Sequence, residues 1–132
     1  MEQLSLSQLE QLIALVDHQI HNSEDFYEYS LEGLSLILIR NFLVKKHNRI
    51  KDPHERDRVI ARSYIRISAE MRSHGLTDQI QKEIRQICRN ILCESSATPE
   101  DKVSQTISRI RSVLELNTIY PFYLEEVEEI DI

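Results

Sequence analysis

Five titratable side chains crowd the stretch DHQIHNSED: Asp17, His18, His21, Glu24 and Asp25. On a continuous helix His18, His21 and Asp25 would share one face, and imidazole with carboxylate is a donor set for a divalent metal. Asn22 and Ser23 interrupt that face with residues that favour helix ends, so a polar surface is expected and no metal site. Cys88 and Cys93 are the only cysteines. Five positions apart on a helix, they diverge by about 140° and cannot bridge. Cys88 falls near an apolar stripe, and no histidine lies nearby in sequence to activate either thiol. Two glycines in the whole chain cannot build a phosphate-cradling loop, and no serine triad pattern occurs. No cofactor is expected.

Arginine supplies the next candidate chemistry. In RDRVIARSYIRI, Arg58, Arg62 and Arg66 recur every fourth residue. With Ile60 as the reference on a helical wheel, Tyr64, Ile67 and Met71 fall within about 40° of it, and the three arginines at least about 120° away. Glu55 and Glu70 can pair with Arg58 and Arg66 along the helix, but such pairs contribute only a few tenths of a kcal/mol. Ile65 shares the arginine side, and an isoleucine among guanidinium groups suits a contact surface better than a solvated one. The complement lies at the end of the chain, IYPFYLEEVEEIDI (119–132). There Tyr120, Phe122 and Tyr123 cluster around Pro121, and Glu125, Glu126, Glu128, Glu129 and Asp131 alternate with Leu124, Val127, Ile130 and Ile132. The tail is expected to pack on a basic face, in its own chain or a neighbour's.

Arg40 and His47 stand in RNFLVKKH, an Arg followed by Asn and then by a His seven positions on. This resembles the R-x4-6-H signature of the HEPN superfamily, all-α domains that include dimeric ribonucleases, over eight residues of the chain. Arg49 and His54 in RIKDPH have the same type of spacing. The resemblance implies that Arg40 and His47 cooperate across a dimer interface on the 2′-hydroxyl and phosphate of RNA, with His47 as the acid–base.

The elements that position these residues follow from spacing. Leu9, Ile13, Val16 and Ile20 step by 4, 3 and 4, as do Tyr27–Leu38, Ile60–Met71, Ile80–Ile91 and Val103–Leu114. That pattern keeps side chains on one stripe of a helix. Cap chemistry marks the boundaries: Ser7 with Glu10, Ser23, Asp52 with Pro53 and Glu55, Gly75 as a helix terminator, Thr77, and TPED at 98–101. Five helices are predicted at about 5–22, 23–50, 53–74, 78–95 and 99–117, the second open to a break near Ser30 or Gly33. Leu36 to Ile39 and Phe42 to Val44 leave that second helix almost no polar face, which makes it central or part of a subunit interface.

Charge is partitioned. Residues 1–39 carry −7, residues 40–89 carry +7 and residues 90–132 carry −6, within a total of −6. Basic residues in the middle could meet nucleic acid, yet both flanks would repel a polyanion and no helix-turn-helix, zinc-finger or RNP-type signature accompanies them. The N-terminus lacks the basic region of a signal peptide, and LSLILIRNFLV is too short to span a bilayer. Unpaired thiols suit the reducing cytoplasm.

The expected protein is all-α: a five-helix bundle (1–118) around a largely buried second helix, followed by a non-helical aromatic–acidic tail (119–132). Its expected function is non-enzymatic protein docking through Arg58, Arg62, Ile65, Arg66, Tyr120, Phe122, Tyr123, Glu125 and Glu126, with a homodimer suggested by the apolar excess of the second helix. The alternatives are a nucleic-acid binder using the basic 40–89 region and a HEPN-like ribonuclease using Arg40 and His47.

Overall fold

Ser5 and Gln8 open the first helix: the Ser5 hydroxyl accepts from Gln8 N at 3.2 Å, and Gln8 Oε1 accepts from Ser5 N at 2.8 Å. This reciprocal capping box replaces the expected Ser7–Glu10 pair, which lies two residues further on, inside the helix. The structure, a computed structural model, describes residues 4–22, 30–51 and 60–127, with the backbone only for 60–62. The helices are α1 (Leu6–Asn22), α2 (Leu31–Lys51), α3 (Ile60–Ser73), α4 (Asp78–Cys88) and α5 (Pro99–Leu116), and the described residues contain no strand. The fold is an all-α bundle, as the periodicity predicts. The predicted caps at Ser23 and at Asp52, Pro53 and Glu55 lie outside the described residues. Within them, α2 starts after Ser30, whose hydroxyl accepts from Gly33 N at 2.9 Å, at the predicted break.

Thr77 and Thr98 cap α4 and α5 by accepting from Ile80 N and Asp101 N, with Pro99 in the first turn of α5. The predicted fourth helix continues past Cys88 as one π-helical stretch, Arg89–Cys93. The buried line runs through Ile84, Cys88 and Leu92, the last two fully buried, while the expected Ile87 and Ile91 are half-buried. Lys102 of α5 donates from Nζ to the Leu92 carbonyl at 3.2 Å and so closes the end of the π turn.

Buried residues run all around α2, from Gly33 through Ile39 and on to Leu43, Val44, His47 and Asn48. α1 packs along it on one side and α5 on another, and α4 packs against both α2 and α5. The apolar excess of α2 is thus covered within one chain and gives no argument for a second copy. α3 approaches the other helices less closely than they approach one another, and it buries Ile67 while leaving Tyr64 and Met71 half-buried. Among the described residues no helix is long and apolar enough to cross a membrane.

Both α3 and α5 end in the same turn. Leu76 N donates to Met71 O and Gly75 N to Arg72 O; likewise Ile119 N donates to Leu114 O and Thr118 N to Glu115 O. Each motif places its penultimate residue in the left-handed region: Gly75 at φ 95° and Thr118 at φ 55°. Glycine suits the first site doubly, since a Cβ there would stand 3.3 Å from the Ile119 side chain. A β-branched threonine at the second is strained. Thr118→Gly is expected to raise stability by about 1 kcal/mol, read as a higher urea midpoint at unchanged slope, whereas Thr118→Val gives no such gain.

Candidate functional site

The turn at Thr118 sends the chain back across the bundle as an extended strap. Alternate residues of an extended chain face opposite ways, and here Phe122 and Leu124 are buried while Tyr123 and Glu125 are exposed. Ile119 and Val127 are also buried, so the segment joins the core rather than trailing from it. Burial of side chains this size contributes roughly 1.5–3 kcal/mol each.

Four groups hold the strap. The Phe122 ring stacks on His74 at 4.0 Å with the planes 3° apart. Arg66 of α3 meets the Glu125 carboxylate at 2.8 Å; both are well exposed, so the pair orients more than it stabilises. Asn41 of α2 grips the backbone itself: Nδ2 donates to Glu125 O at 3.1 Å, and Oδ1 accepts from Val127 N at 2.8 Å. Arg40 then donates from Nη1 to Val127 O and from Nε to Asp17 Oδ1, both at 2.7 Å, with Glu126 Oε2 at 3.9 Å. The strap therefore runs from the α3–α4 turn over α3 to α2, whose Arg40 also binds Asp17 of α1. Its backbone is satisfied by side chains where a sheet would use another strand.

Of the predicted docking residues, Ile65 is 67% exposed and Arg66 carries the Glu125 contact, both away from the buried side of α3. Tyr120 and Tyr123 are exposed, Phe122 is buried under His74 and Glu126 lies beside Arg40. Arg58 and the side chain of Arg62 lie outside the described residues. His47 is buried, with Nε2 3.1 Å from Glu10 Oε1, and Arg40 is engaged by Asp17 and the strap. His18 contacts Asn22, and Glu24 and Asp25 lie outside the described residues. Burial raises the pKa of both Cys88 and Cys93, which disfavours thiolate chemistry at either.

Sequence reasoning missed Asn41, Asp17 and a cavity. A space of about 320 Å³ opens between α2, α3 and α4, with Leu38, Phe42, Ile67, Met71, Ile84 and Cys88 among its lining. Lys45 and Arg85 reach it from α2 and α4, and Lys45 Nζ stands 4.4 Å from the centre of the Tyr64 ring. At its far end Gln81 is locked by Ser68 and the Leu76 carbonyl. The polar interruptions of α2 were the available signal for Asn41; a void between helices has none.

Comparison with protein-family models, curated proteins and solved structures finds no match to this chain.

The Asn41 grip has a measurable consequence. Asn41→Leu leaves a buried N–H and a C=O of the strap without partners and is expected to cost about 2–4 kcal/mol. Hydrogen exchange at the Val127 amide should rise more than at amides in α1 or α5.

Proposed function

We propose that this protein is a non-enzymatic docking module, working in the cytoplasm, that holds acidic, apolar-studded extended segments across α2 and α3. The observation that carries this reading is the handling of its own strap. Asn41 takes the Glu125 carbonyl and the Val127 amide, Arg40 the Val127 carbonyl, and Arg66 the Glu125 carboxylate. The Asn41 and Arg40 contacts are to backbone, and the side-chain contacts are an aromatic ring on His74, buried aliphatics and a carboxylate at Arg66, so a partner needs the same alternation of acid and apolar anchor. Exposed Ile65 beside Arg66 offers it further apolar area. A second copy of the chain supplies such a segment, and strap exchange between two copies would be one instance of docking.

The ribonuclease reading would need Arg40 and His47 free to meet RNA, whereas one is tied to the strap and the other is buried against Glu10. The nucleic-acid reading would place a polyanion beside Glu125 and Glu126.

The test uses a fluorescent peptide of residues 119–132 added to the full chain. A strap tethered in cis competes at millimolar effective concentration, so the unsubstituted chain should bind the peptide weakly. Leu124→Ser, or the milder Glu125→Lys, loosens the resident strap and should raise affinity at least about tenfold, while adding Arg66→Glu to Leu124→Ser should reverse the gain. Circular dichroism reports that the helices persist. Equal binding of a peptide with its glutamates changed to lysine, or capture of a single-stranded oligonucleotide in its place, would overturn the reading.

A further inference from the structure

We propose that the cavity between α2, α3 and α4 is a binding site for a single-chain amphipathic anion, its alkyl chain among Leu38, Phe42, Ile67, Met71 and Ile84 and its anionic head at Lys45, Arg49 and Arg85. This goes beyond the docking reading, with which the cavity shares only Asn41 and Ile65 at its border.

The argument starts from unmatched charge. Arg40, Arg66, Arg72 and Arg111 each face a carboxylate. Lys45, Arg49 and Arg85 pair with none among the described residues, yet they lie close enough that Arg49 and Arg85, after burial itself, lower the pKa of Lys45. Half-buried Lys45 and the exposed Arg49 and Arg85 beside it repel one another, and an anion bound there would relieve that repulsion. Among the described residues that line the cavity there is no carboxylate to do so.

Tyr64 adds a second, independent sign. Its hydroxyl is buried and has no hydrogen-bond partner among the described residues, although such groups are almost always satisfied. Burial raises its pKa, so it stays protonated and can donate to an anion beside Lys45.

Size and polarity choose the class. About 320 Å³ lies at the small end of ligand pockets, enough for one alkyl chain or a compact ring system but not for a dinucleotide or a helix. Inorganic phosphate or a sugar phosphate would leave the apolar floor unfilled. A carboxylate and a phosphate monoester share the required chemistry.

Calorimetry on the full chain, below the critical micelle concentration, compares dodecanoate, dodecyl phosphate, dodecanol and dodecyltrimethylammonium. At least one of the two anions should bind saturably at one per chain, and the anion that binds more tightly identifies the head group. The neutral and cationic chains should bind at least about tenfold more weakly. Lys45→Met with Arg85→Met should weaken anion binding by a similar factor, and Met71→Trp, which fills the cavity, should abolish it. Amide shifts in a titration of the unsubstituted chain should centre on Leu38, Phe42, Met71 and Ile84. The proposal is overturned if the cationic chain binds as well as the anions, if neither anion saturates, or if the shifts map elsewhere. Peptide docking in the strap assay should be unchanged by the Lys45 and Arg85 substitutions, so the two readings fail separately.

Discussion

A helix that is apolar around its circumference has to be enclosed on every side, and α2 imposes that condition on the rest of the molecule. α1 and α5 cover most of it, and α4 adds a further wall. The end of the chain completes the enclosure, with Leu124 and Val127 buried and Asn41 and Arg40 of α2 reaching out to the strap backbone. Extending a chain over an apolar surface strands its amides and carbonyls unless something meets them. The two polar side chains at the middle of α2 meet that need, so they belong to the fold as much as the leucines around them.

The same constraint explains the charge on α2. Arg40 is largely buried, and a lone guanidinium in such a place would be costly. Asp17 of α1 and the Val127 carbonyl share it, which ties the first helix, the central helix and the strap into one node. About two turns further along, His47 and Asn48 are also buried, with His47 facing Glu10. An arginine and a histidine at that spacing resemble a catalytic signature in the sequence. In the fold each joins α2 to α1, which is a structural use of the same residue types.

Much of the architecture was legible in the sequence because it rests on local rules. Apolar spacing placed the helices, and Thr77, Gly75, Thr98 and the break at Ser30 fell where cap chemistry put them. Ser7–Glu10 also fitted a capping box, and Ser5–Gln8 prevailed two residues earlier because two overlapping patterns satisfy the same rule. The π turn after Cys88 was invisible, since it depends on how Leu92 meets α5 rather than on its own residues. The site was legible only in outline. Ile65 and Arg66 lie away from the buried side of α3 and Glu125 meets Arg66, but Asn41 gives no periodic signal and the cavity depends on how far apart three helices stand.

That distance follows from how α3 is held. Its buried anchor is Ile67, and its ties among the described residues include the Arg66–Glu125 contact, the stacking of His74 on Phe122 at its end, the Gln81 bonds to Ser68, the Arg72–Asp78 pair and the Lys45 ammonium over the Tyr64 ring. Two of these run to the strap, two to α4 and one to α2, and these side-chain contacts span α3 to its neighbours without close backbone packing. Closer packing would bury Tyr64 and Met71 fully, but α3 is held by the strap through Arg66 and His74 on one side and by Gln81, Asp78 and Lys45 on the other. A helix restrained from both directions holds its position without tight packing, and the dimensions of the cavity are set by that balance.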